Sequence, residues 1–205
     1  IAAAEVARPR LRDGIAHLRT SRSALLGMTT IAIGHVAMVS VMVMTPIHMA
    51  HVDVTLQLIG LIISVHVAGM YALSPVVGWA VDRFGRIPVI YTGVVILLAS
   101  CAFAGVAAGD DIVTLGIGLF LLGLGWSCTL SAGSTLLVDG IAPQERPSVQ
   151  GLSDLVMNVA GAVGGAAAGL IVWLSSYSVL CIAAAIPVIG LAIFRLSGIL
   201  ANSSA

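Results

Sequence analysis

Of 205 residues, 59% are hydrophobic and only 9% are charged, with a mean hydropathy of +1.11. Soluble globular domains carry about 25% charged residues, so water is not the main solvent of this chain. Nine basic residues, all Arg, balance nine acids, and a net charge of zero removes the case for nucleic acid, whose affinity rests on clustered cations.

Residues 1–23 form a polar, Arg-rich lead without the apolar stretch of a cleavable signal peptide. The absence of an initiator Met suggests a processed or truncated start. A bilayer-spanning helix needs about 20 mainly apolar residues. Six stretches qualify: 24–47, 55–79, 87–108, 112–137, 149–173 and 177–195. They are too long and too uniformly apolar for strands. The expected fold is therefore all-α, a polytopic bundle of six transmembrane helices over 24–195, with a short tail at 196–205. Pro46, Pro75 and Pro187 each remove a helical hydrogen bond and are expected to kink their spans.

Orientation follows the arginines. Arg8, Arg10, Arg12, Arg19 and Arg22 precede span one, Arg83 and Arg86 follow span two, Arg146 follows span four, and Arg195 closes span six. With an even number of spans, all nine fall on one side, so lead, tail and both termini are expected in the cytoplasm of a multi-pass cell-membrane protein. The opposite side carries His48, His51, Asp53, Asp110 and Asp111.

Span five holds Gly161, Gly165 and Gly169 at intervals of four, one stripe on one face. Such stripes let helices approach closely in lipid. Span four carries a weaker row in Gly125, Thr129 and Gly133. Cys101, Cys128 and Cys181 lie within apolar runs, with neither a disulfide framework nor zinc spacing, and read as packing residues.

Ionisable groups at membrane depth are candidate functional residues. His35 and His66 each fall about 11 residues into their spans, near the midplane at 1.5 Å per residue. Either they relay protons or bind a substrate, or each is a neutral ring bonded to a neighbouring helix. Tyr71, if buried, needs a partner for its hydroxyl. Asp154 lies about one and a half turns into span five, and Asn158 one turn deeper. Trp126, in the middle of span four, reads as lipid-facing or packed.

The loop after span two reads Gly78-Trp79-Ala80-Val81-Asp82-Arg83-Phe84-Gly85-Arg86-Ile87-Pro88. Gly78 would permit close helix contact at the membrane exit, Gly85 a tight turn, and Asp82 could accept from a helix N-terminus or an Arg. This segment resembles the G-x-x-x-D-R-x-G-R-[RK] loop of the major facilitator superfamily, with Ile87 in place of the final basic residue. The loop after span four, Asp139-Gly140-Ile141-Ala142-Pro143-Gln144-Glu145-Arg146, is similar to that family's acid followed by P-x-E-R. The resemblance covers residues 24–195 and implies the second, C-terminal six-helix half of a drug-efflux-like bacterial member. The central loop would be residues 1–23.

It further implies a secondary transporter working by alternating access, with a missing N-terminal half as partner; the apolar lining with few charges fits export of a small amphipathic molecule, and the midplane histidines fit protons as coupling ion. It also implies a cytoplasmic charge network of Asp82, Arg83, Arg86, Asp139, Glu145 and Arg146. No cofactor is expected. Three other readings stand beside it. An intramembrane serine protease, suggested by Gly125-Trp126-Ser127-Cys128, needs a His base on a later span, and all five His precede residue 67. A metal site at His48, His51 and Asp53 lacks a fourth ligand. A receptor-like or structural protein on the same fold differs only in producing no flux.

Overall fold

The computed structural model describes Ile15, Leu18, residues 21–139 and residues 141–203, with side chains described as far as Ile193. Most of the lead, with Arg8, Arg10, Arg12 and Arg19, lies outside the described residues. Among the residues described from Arg22 onward, seven helices follow in order: α1 Arg22–Ala50, α2 Leu56–Tyr71, α3 Ser74–Phe84, α4 Arg86–Val106, α5 Ile112–Val138, α6 Arg146–Leu174 and α7 Tyr177–Ser203. No strand occurs among the described residues. Taken together, α2 and α3 form one span, so five of the six expected spans are long and apolar enough to cross a bilayer, the described apolar part of the sixth, Tyr177–Ile193, is shorter, and the chain is a helical membrane bundle.

Local chemistry explains where the helices start and stop. Ser21 caps α1, its hydroxyl accepting the Ala24 N–H at 3.2 Å. Asp111 caps α5 through the Thr114 N–H at 3.0 Å. Both satisfy donors that a helix leaves unpaired in its first turn. The second span breaks at Ala72–Leu73, because Pro75 has no N–H to offer the Tyr71 carbonyl and crowds it sterically. Pro46 and Pro187, also expected to kink their spans, lie inside continuous helices. The tail expected from residue 196 continues α7 as helix to Ser203.

At the centre stand α1 and α5. Over half of the most apolar stretch of each is buried, 56% in both cases, against 22% for α2–α3 and 11% for α6. Leu115, Leu119 and Leu122 recur on one face of α5 and are fully enclosed. Helix α5 meets α4, α2 and α1, while α1 meets α6, α5 and α7. The outer helices leave broad apolar faces exposed, as lipid or a second bundle requires.

Small residues set these distances. A methyl added at Gly123 on α5 would meet the Met70 nitrogen of α2 at 2.7 Å, and one at Gly69 would strike the Phe120 carbonyl. The obstacles are backbone atoms, so the helices touch main chain to main chain. Gly125 and Gly133 are packed as tightly but against side chains, Leu97 of α4 and Ile31 of α1, and Thr129 packs on Gly34. On α6 the tight contacts are Gly161 against His35 and Gly164 against Val36 and Ser40. Gly165 and Gly169 complete the stripe toward α1, at ordinary van der Waals distance from Val39 and Met44.

Candidate functional site

Four helices bring side chains together halfway across the bundle. His35 lies at the middle of α1, Tyr71 at the end of α2, Trp126 at the middle of α5 and Gly161 at the middle of α6. Trp126 is buried at 7% exposure, and its indole Nε1–H donates to His35 Nδ1 at 3.1 Å. Tyr71, exposed at 59%, meets the Trp126 ring edge to face at 6.3 Å between centroids and 80°. The His35 Cδ2–Nε2 edge lies against Gly161, where a methyl would come within 2.8 Å of Nε2. A methyl there would have to displace the imidazole.

An indole can only donate. In this geometry His35 Nδ1 therefore carries a lone pair, and the neutral ring keeps its proton on Nε2. His66 is bound in the opposite sense. Its Nδ1 lies 2.9 Å from the Leu119 carbonyl oxygen, which can only accept, so Nδ1 carries the proton. His66 is 1% exposed, and its Nε2 has no partner among the described residues. Of the two midplane histidines, His66 ties α2 to α5, and His35 faces the half-open aromatic wall.

The cytoplasmic end holds the second arrangement. Gly85 joins α3 to α4 with φ of +90°, a conformation natural to glycine alone, and delivers Arg86 to the first turn of α4. The Arg86 guanidinium grips Asp139 at the end of α5. Nη2 donates to Oδ1 at 3.1 Å, while Nε approaches Oδ2 to 2.9 Å off the line a hydrogen bond needs. The pair is 37% and 41% exposed, which limits it to about 1 kcal/mol or less.

Asp82, Arg83 and Arg146 stand apart from that pair. Asp82 and Arg83 are exposed and have no side-chain partner among the described residues. Arg146 Nε donates to the Ile141 carbonyl at 3.3 Å, inside its own loop. The close contact expected at Gly78 is missing, since a methyl there would meet nothing within 4 Å. These groups lie on surfaces this bundle does not cover.

Asp154 and Asn158 share the exposed face of α6, the Asn158 amide donating to the Asp154 carbonyl at 2.7 Å. On the far side, His48 lies in the last turn of α1, His51 caps that helix and Asp53 follows in the turn. His48 stacks on Tyr177 at 4.3 Å, His51 Nδ1 bonds the Ile47 carbonyl at 2.6 Å, and Asp53 adopts φ of 57°. No group of three metal-ligating side chains converges among the described residues.

Sequence reasoning left Trp126 outside the site. The available signal was its depth: of three tryptophans, Trp79 and Trp173 lie toward the ends of their spans, and only Trp126 is central.

The sequence profile of the Major Facilitator Superfamily matches residues 25–200. The chain belongs to that superfamily. Two similar proteins come from Bacillus subtilis (strain 168), both named uncharacterized MFS-type transporters. YddS is 36% identical over 165 residues, 80% of this chain and 38% of the relative. YdeG is 38% identical over 161 residues, 78% of this chain and 37% of the relative. The riboflavin transporter RfnT of Brucella anthropi is 30% identical over 92 residues, 45% of this chain and 23% of that protein. The chain thus spans about two-fifths of the length of the first two relatives. Membership in this transporter family excludes the protease reading.

Proposed function

We propose that the full-length protein is a secondary active exporter of small amphipathic molecules, driven by protons and working by alternating access. This bundle would form the C-terminal wall of its central cavity. The observation that carries the reading is the midplane cluster of His35, Trp126 and Tyr71, a titratable ring and two aromatic faces in an otherwise apolar bundle. Polar groups at that depth are costly in lipid, and secondary transporters hold substrate there, between two repeats.

The exposed α6 face with Asp154 and Asn158 would meet the N-terminal half. Asp82, Arg83 and Arg146 would complete the cytoplasmic network with that half, alongside the Arg86–Asp139 pair. The arginine distribution favours a cell-membrane protein with both termini in the cytoplasm. Trp126 and Tyr71 suit a flat aromatic solute, and one relative is named a riboflavin transporter.

The test is flux by the full-length protein in everted membrane vesicles energised to an acid interior, with riboflavin and a cationic aromatic dye as probes. Uptake of either probe that collapses with a protonophore is expected. Probe flux that ignores the pH gradient would refute proton coupling.

A further inference from the structure

We propose that Trp126 is the positioning residue that ties protonation of His35 to the shape of the aromatic wall. The inference rests on the proton-coupled reading above, but its first test needs no flux. Neutral His35 already carries a proton on Nε2, so an incoming proton from water in the cavity can enter only at Nδ1. That nitrogen is occupied by the Trp126 N–H at 3.1 Å. Once protonated, Nδ1–H and the indole N–H are both donors aimed at each other, and the bond cannot survive. Trp126 must rotate or withdraw for the proton to bind, and Tyr71, packed edge to face on the same indole, loses its support with it. No bond other than the N–H forms, and the proton leaves by the same route when Trp126 returns.

His66 supplies the contrast. Its Nδ1–H donates to the Leu119 carbonyl whether the ring is neutral or charged, so a proton on Nε2 would leave that tie unchanged. The two midplane histidines are thus chemically unlike: His66 is a strut, and His35 is a switch that trades an indole for a proton.

The surroundings add no competing charge among the described residues. Along α1 the nearest titratable groups, Arg22 and His48, are at the helix ends. From α6, His35 faces Gly161, with Asp154 about two turns away on the exposed face. From α5 it faces Trp126, while Cys128 points toward Gly93 of α4. From α2 it has Tyr71 across the indole, and His66 is turned to Leu119. From α7, Tyr177 and Cys181 lie toward the opposite end of α1, where Tyr177 bonds Thr45.

The experiment is ¹⁹F NMR of full-length protein carrying 5-fluorotryptophan, with the Trp126 resonance assigned by its loss in Trp126→Phe. In the parent protein the resonance should titrate between about pH 5 and pH 8, where an imidazole changes charge. In His35→Gln it should become pH-invariant, because the glutamine oxygen accepts the indole proton at any pH, while His66→Gln should leave the titration intact. An invariant resonance in the parent protein, which needs no histidine variant to fold, overturns the proposal, as does a titration unchanged by His35→Gln.

The functional arm is the pH profile of dye transport. Trp126→Phe removes the indole's competition for Nδ1, so the midpoint should move to higher pH by about one unit, the worth of one hydrogen bond. An unmoved midpoint contradicts the switch. A titrating Trp126 with flux indifferent to pH would instead support the switch and refute proton-coupled export.

Discussion

Gly123→Ala should unfasten α2 from α5. The added methyl would sit 2.7 Å from the Met70 nitrogen and 3.0 Å from the Gly69 carbonyl carbon, against 3.4 Å for ordinary contact. No flexible side chain can give way, and the His66 carbonyl oxygen is nearer still, so the helices must part by at least about 0.7 Å, the shortfall at Met70. Such a shift stretches the His66–Leu119 bond from 2.9 Å to about 3.6 Å, beyond useful hydrogen-bond length. Overpacking of this kind costs about 1–3 kcal/mol, and a lost interhelical bond in a membrane protein adds about 0.6 kcal/mol.

Gly60→Ala is the internal control. It lies on α2 with nothing within 4 Å, and should be neutral or stabilising by up to about 1 kcal/mol from helix propensity. The assay is unfolding of the purified full-length protein in mixed micelles, followed by helical circular dichroism. A Gly123→Ala variant as stable as Gly60→Ala would refute the backbone-to-backbone packing of these helices.

Asp82→Asn should strongly reduce transport while changing stability by no more than about 0.5 kcal/mol, since Asp82 is exposed and unpaired among the described residues; retained transport would reduce the loop to a topology signal. Single cysteines at Asp53 and Asp110 should react with an impermeant reagent from outside intact cells and one at Glu145 should not, and labelling at Glu145 alone would invert the orientation. The Asp111 carboxyl is held below its ordinary range by the Thr114 hydroxyl and N–H. Its cap therefore contributes fully above about pH 4 and is lost as pH falls through the depressed folded-state value. Asp111→Ala should melt earlier than the parent near neutral pH, the gap closing in acid; an equal gap at both pH values would remove the ionised cap from the account.

The spans were legible because a bilayer demands about 20 apolar residues in a row, and nothing else in the chain competes with that pattern. Their ends were less so. Hydropathy places Arg outside the membrane, yet α1, α4 and α6 begin at Arg22, Arg86 and Arg146, because helical hydrogen bonding continues into the headgroup region. The break at Ala72–Leu73 was foreshadowed by Pro75, whereas Pro46 and Pro187 show that a proline in a membrane helix need not end it.

Lateral pairing was the part that periodicity could not supply. His35 and Trp126 are 91 positions apart, and both sit on helices that are apolar all round, so neither pattern marks a face. His66 is satisfied by a backbone carbonyl, a partner that leaves no trace in residue identity. The Arg86–Asp139 pair was named among six charges through the family resemblance. Among the described residues the bundle pairs Arg86 with Asp139, while Asp82, Arg83 and Arg146 lie on surfaces it does not cover.

The most direct test of the half-transporter account is to reconstitute the 205-residue chain and the full-length protein side by side, with dye flux measured under an imposed pH gradient. One bundle supplies one wall, with substrate held between two bundles that rock against each other. Flux from the full-length protein is therefore expected, with none above empty vesicles from the isolated chain and partial recovery when both halves are co-expressed. Robust flux from a proven monomer of these 205 residues would contradict the half-transporter account and the site built on it.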